Sequence, residues 1–179
     1  MKKPKTKMTF KVSKAVSRGL FSRTEGLRAL SGVDDRTLSV GITNESDKWH
    51  WGSLMMCSDL YKMLAVASPK NKGNWPARPL IKGWYDANQN VISTTILHHI
   101  RRVQKNKKFK DATASKAEAA MSSALRAAGE ELVDDLQSAF GYAAPYNAPN
   151  KKSTIRKKGF DAPLSETGQL SDSVGYEIL

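Results

Sequence analysis

The sequence predicts an α+β domain: a small antiparallel or mixed sheet that includes the C-terminal strand, packed against two long helices, with extended N-terminal and 145–163 segments. Three observations lead there. "RTLSVGIT", residues 36–43, alternates Leu38, Val40 and Ile42 on one side, as a half-buried strand does. Beyond Pro79 lie two long stretches with apolar residues at helical spacing. The chain then closes on Val174, Tyr176 and Ile178, a second alternating run.

Taken in order, residues 1–8 read as disordered, and Phe10, Val12, Ala15, Val16, Leu20 and Phe21 fit either an amphipathic helix or an early strand. After the 36–43 strand, Leu60, Met63, Leu64 and Ala67 mark a short helix. Pro69, Gly73, Pro76 and Pro79 then break the chain into a loop that ends in "WPARP". The first long helix, about residues 80–103, aligns Leu80, Trp84, Ala87, Val91 or Ile92, Ile96, Ile100 and Val103, with Pro79 suited to a helix start. The second, about 115–140, aligns Met121, Leu125, Ala128, Leu132, Leu136 and Phe140, and its alanines favour it further. Gly141 supplies a stop. The final strand is expected to pair back onto Leu38–Ile42.

At 179 residues the chain suits one domain with a real core. We divide it into a basic arm, residues 1–24, and a single domain, residues 25–179. Cys57, the lone cysteine, makes an internal disulfide impossible and reads as a small buried apolar residue. The longest apolar stretches are short and interrupted, so no membrane span or membrane partner is expected. The basic N-terminus lacks the apolar segment of a signal peptide, which suggests a cytoplasmic product.

Charge is the unusual property. The formal net charge is +12, and 19 of the 29 Lys and Arg residues fall in three places: residues 1–24, "RRVQKNKKFK" (101–110) and "KKSTIRKK" (151–158). Such clusters are either solvated surface or contacts to DNA phosphates or an acidic partner. The contact candidates are Arg101, Arg102, Lys105, Lys107, Lys108, Lys151, Lys152, Arg156, Lys157 and Lys158. None is interleaved with aromatics or continues into a groove-reading motif, so any DNA contact would be indifferent to sequence.

Catalytic patterns are missing: there is no HExxH, CxxC or Gly-rich phosphate loop. His98 and His99 would point about 100° apart on a helix and do not share a metal without help. Glu130 and Asp134 share a helix face, for which solvation is the commoner explanation and a basic segment of a neighbouring chain an alternative for Asp134. No cofactor, metal site or enzymatic activity is expected. Trp49, Trp51 and Trp75 sit in loop-like surroundings, where they either pack the core or anchor a subunit contact. Pro76 and Pro79 fix the backbone on both sides of Arg78, whose guanidinium then caps carbonyls of its own chain or reaches a neighbour's carboxylate. Thr167 and Gly168 suit a tight turn, with Gly168 free to take positive φ.

Several of these segments, in this order, resemble one family. Pro76, Ala77, Arg78 and Pro79 are followed by two helices, then by Ser153, Thr154, Ile155, Lys158 and Gly159, and finally by Pro163, Leu164, Thr167, Gly168, Leu170, Ser173, Val174 and Tyr176. From about residue 36 to the end, the chain resembles the neck or tail-completion proteins of tailed bacteriophages, the virion morphogenesis group. The usual acidic glycine turn before the proline motif is replaced here by "LAVASPKNKGNW".

The resemblance implies a structural virion protein rather than an enzyme. Copies would form a ring, six first and twelve second, in the neck between the DNA-filled head and the tail, through which the genome passes. Implied partners are other copies of the chain, head connector or portal-side proteins, and tail terminator or tail tube proteins, with non-specific contact to genomic DNA. The implied location is the virion, after assembly in the host cytoplasm. Within this reading the assembly candidates are Trp49, Trp51, Trp75, Arg78 and Asp134. Thr167, Gly168, Leu170, Val174 and Tyr176 form the turn and strand motif, and the basic arm becomes ordered on a partner. The alternative is a sequence-independent DNA-binding protein that works through the basic segments alone.

Overall fold

A computed structural model of the chain describes residues 7–11, 36–66, 76–105, 114–141, 147–165 and 167–179. Strand β1 (Lys7–Lys11) and strand β2 (Thr37–Gly41) precede a short hairpin of β3 (Trp49–His50) and β4 (Met55–Met56). Helix α1 (Cys57–Leu64) follows directly, then the long helices α2 (Leu80–Gln104) and α3 (Ala114–Phe140). Two short helices, α4 (Lys152–Lys158) and α5 (Gln169–Asp172), lead into strand β5 (Gly175–Ile178).

The arrangement is α+β, and its main sheet is antiparallel, in the order β1-β2-β5. The C-terminal strand pairs onto β2 as the alternation implied, with Leu38 opposite Ile178 and Val40 opposite Tyr176. Leu38, Val40 and Ile42 are buried together with Met8. On the other face, Thr9 and Ser39 hydroxyls lie 3.3 Å apart. Lys7 reaches across the side-chain-free Gly41 to bond Glu177.

Helix α3 lies against this sheet and against α2, and its stripe from Met121 to Phe140 is buried throughout. In α2 the buried set is Leu80, Ile81, Trp84, Ile92, Thr95 and Ile100, so Ile92 rather than the 52% exposed Val91 carries the stripe. The phase shifts because the helix is kinked at Asn88 (φ −112°, ψ 17°), whose side-chain amide bonds the Trp84 carbonyl at 2.8 Å. Toward the far ends of α2 and α3, Ile100, Ala117, Met121, Ala124 and Leu125 form a second small core. Polar pairs fix the two helices across their contact: Trp84 Nε1 donates to Asp135 at 3.0 Å, and His99 Nε2 lies 2.8 Å from Glu131. Cys57 is fully buried, and desolvation pushes its thiol pKa up.

Three expectations need correction. Lys7 and Met8, read as disordered, belong to β1, so the sheet takes a strand from within the basic arm; the ladder to β2 supplies order that the flanking lysines hide. The 145–163 segment is not extended throughout, because Lys152–Lys158 winds into α4. That helix ends on Gly159 in the left-handed region (φ 82°), whose N–H bonds the Ile155 carbonyl at 2.7 Å. Leu170 and Val174 do not lie on the final strand. Leu170 is in α5 and Val174 just before β5, and both are buried at the sheet's end.

Gly129 sets how closely α3 approaches the sheet. A Cβ there would stand 2.7 Å from the Tyr176 ring, at the near end of that side chain, where little freedom remains. Gly129→Ala is therefore expected to destabilise the protein by about 1–3 kcal/mol despite alanine's better helix propensity. In a Tyr176→Ala background the same change should become neutral or stabilising. Urea denaturation of the four members of this cycle measures the coupling, and additive effects would contradict the proposed contact.

Candidate assembly surface

The sequence segments singled out above meet in one place. A groove of about 460 Å³ is lined by residues from the β3–β4 hairpin, from α1, from the 76–79 turn and from both C-terminal motifs; among them are His50, Leu64, Arg78, Thr154, Lys158 and Leu170. Positions more than 100 residues apart thus share a wall.

Arg78 ties this region together. Its backbone N–H bonds the Leu64 carbonyl at 3.0 Å and its Nη2 donates to Asn150 Oδ1 at 3.0 Å, while the Asn150 N–H reaches Asp161 at 3.0 Å. Its guanidinium thus holds a side-chain amide of its own chain. Burial lowers the Arg78 pKa and the nearby Asp161 opposes that shift. Arg78 Nε and Asn150 Nδ2 are buried with no hydrogen-bond partner among the described residues.

Sequence reasoning missed Tyr61. Pro79 is the residue before α2 and offers no side-chain cap. Instead the Tyr61 hydroxyl, brought in by α1, accepts the Ile81 N–H at 2.9 Å. One of the helix's unpaired N-terminal donors is satisfied from another helix. A tyrosine at a buried helical position was the available signal, but nothing local links it to residue 81. Burial pushes this phenol well above the ordinary tyrosine pKa.

The hairpin forms the rim of the groove. Ser53 N–H bonds His50 Nδ1 at 3.1 Å, and the Trp51 N–H bonds Gln169 Oε1 at 3.3 Å, which pins the turn to α5. Trp49 (45% exposed), Trp51 (73%) and Leu54 (71%) remain uncovered on it. Leu54 also holds a left-handed φ of 53°, a conformation that costs a non-glycine residue roughly 1–2 kcal/mol. Exposed apolar side chains on a tied, locally strained turn suit a contact with another protein surface.

Other expected positions are distributed. Thr167 is exposed, and Gly168 takes the positive φ (75°) anticipated for it, opening α5. Asp134 and Glu130 do share a face of α3, beside Tyr176, whose phenol pKa is raised by burial and by Glu130. Arg101, Arg102 and Lys105 are exposed where α2 ends; Lys151, Lys152, Arg156 and Lys157 are exposed on and before α4. Lys158 is drawn in instead, bonding the Ala162 carbonyl at 3.1 Å over the Phe160 ring. Trp75, Lys107 and Lys108 lie outside the described residues. Among the described residues no group of three His, Cys, Asp or Glu side chains is arranged to hold a metal ion, and no helix is long and apolar enough to cross a membrane.

Tyr61→Phe should cost about 1–2 kcal/mol, because the Ile81 N–H is left buried without an acceptor. The folded phenol has the higher pKa, so its contribution is complete below the unfolded value of about 10 and is lost as pH rises beyond it. Chemical denaturation between pH 8 and 11 should show wild-type stability falling faster than that of the variant; parallel curves would contradict this. No family model matches the chain, nor does any curated protein or solved structure.

Proposed function

We propose that this protein is a structural subunit of the tailed-bacteriophage neck, copies of which form a ring that joins the DNA-filled head to the tail and lets the genome pass. One observation carries the reading. The three motif segments of the family resemblance, residues 76–79, 153–159 and 163–176, are not scattered but gather with an exposed tryptophan hairpin around one groove. That grouping is what a shared assembly surface requires.

The parts divide the work. Trp49, Trp51 and Leu54 supply apolar area for a protein neighbour. Arg78 and its partner Asn150 keep the groove's shape. The exposed cations of α4 and of the end of α2 face acidic partners or DNA. In a closed ring the two contacting faces of each subunit differ, so a hairpin on one copy meets a different surface on the next. Six copies is the first expectation and twelve the second.

Electron microscopy and sedimentation of the purified chain test the reading; rings are expected, and a strictly monomeric protein that is absent from virions would refute it. Trp51→Ala should weaken assembly about tenfold or more while changing stability by less than about 0.5 kcal/mol, as is usual for an exposed position. A salt titration with bare duplex separates the alternative. Weak DNA binding is expected from a neck subunit, whereas tight binding that falls steeply with salt would favour a free-standing DNA-binding protein.

A further inference from the structure

The groove around Arg78 holds two donors with nothing to bond. Arg78 Nε and Asn150 Nδ2 are both buried, and neither has a hydrogen-bond partner among the described residues. The bond between the same two side chains, from Nη2 to Oδ1 at 3.0 Å, leaves these N–H groups over. Buried donors are almost always satisfied in a completed structure. Arg78 and Asn150 both line the groove, so an acceptor for them arrives with whatever fills it.

Charge specifies the acceptor. Arg78 and Lys158 line the groove, and no Asp or Glu among the described residues does. Neither cation forms an ion pair among the described residues. Lys158 spends its ammonium on the neutral Ala162 carbonyl and on the face of the Phe160 ring. Asp161 is exposed and favours the Arg78 charge only through space, since its carboxylate bonds the Asn150 N–H. A carboxylate suits such a place, because a guanidinium meets it with parallel, charge-assisted N–H bonds.

The apolar part of the lining specifies what carries that carboxylate. Leu60, Leu64, Leu164 and Leu170 share the groove with the cations. A nucleic-acid backbone or a bare inorganic anion would leave these leucines uncovered, whereas a carboxylate among apolar side chains covers them. The volume, about 460 Å³, lies within the range of about 300–1,000 Å³ typical of sites that enclose a drug-sized ligand. Trp49, Trp51 and Leu54 continue the apolar surface along the rim, so the occupant extends beyond the cavity, as a polypeptide does.

We infer that this groove receives an acidic segment of a partner protein, whose Asp or Glu carboxylate accepts from Arg78 and Asn150 while apolar residues beside it cover the leucines. The inference rests on the reading of the groove as an assembly surface and names the chemistry of what sits in it.

Titration of the full-length chain with the capped peptide acetyl-Ser-Leu-Glu-Leu-Ser-amide, followed by nitrogen–proton NMR, tests it. The side-chain signals of Arg78 Nε and Asn150 Nδ2 should shift on binding, and the same peptide with Gln in place of Glu should bind about tenfold more weakly. Arg78→Gln should abolish the preference for Glu over Gln and Lys158→Gln should reduce it about threefold, while Lys116→Gln, at an exposed cation outside the groove, should leave it unchanged. Should Arg78→Gln fail to fold, the wild-type shifts and the ratio of the two affinities still decide. Equal affinity for the two peptides, or no binding at millimolar concentration, would overturn the inference. So would binding that leaves both signals in place, since the two donors would then be served by buried water. A duplex oligonucleotide that moves the same signals and displaces the peptide would overturn it in favour of a phosphate site. Selective peptide binding by a chain that forms no rings would support the inference and refute the ring reading, whereas rings built from a chain that binds neither peptide would overturn the inference alone.

Discussion

The antiparallel pairing of β2 with β5 is the contact on which the rest of the molecule depends. Leu38 meets Ile178 and Val40 meets Tyr176, closing a loop of well over one hundred residues that contains all the described helices. Such a closure gains nothing until both strands and the helix covering them are in place, so the sheet and α3 must form together. Gly129 is the local expression of that constraint. By leaving out a side chain it lets the Tyr176 ring lie directly on the α3 backbone, which fixes the strand's height above the helix.

From that junction two grooves follow. On one side of the closure, α5 buries Leu170 and carries Gln169, whose side chain and carbonyl reach Trp51 and Cys57. The tryptophan hairpin is thereby fixed to the end of the sheet. On the other side, β5 is the last of the described strands in the sheet, and its outer edge and the exposed stripe of α3 border the same groove.

Much of the fold was legible because its signals are local. The α3 stripe, the 36–43 alternation, the short helix after the hairpin and the positive φ of Gly168 all depend on residues within a few positions of each other. The failures were also physical. β1 was obscured because its ordering comes from a ladder to residues 37–41 rather than from its own pattern. The α4 helix was hidden by a lysine-rich composition that reads equally well as an extended arm. Val91 and Ile92 were indistinguishable by periodicity until the kink at Asn88 set the phase. At the candidate site, Arg78 was visible through its flanking prolines, whereas Tyr61 was not, since its partner lies 20 positions away on another helix.

The sequence by itself determined the class of fold, the two long helices, the pairing of the C-terminal strand, the basic charge and the order of motifs that suggests a place in a virion. Tertiary structure alone decided which distant residues share a surface: that the proline, lysine and glycine motifs line one groove, and that Glu130 and Asp134 line another with β5. The physical reason is range. Periodicity and turn chemistry act through neighbouring backbone, but a groove or a sheet margin is made of groups brought together only after the chain has closed on itself.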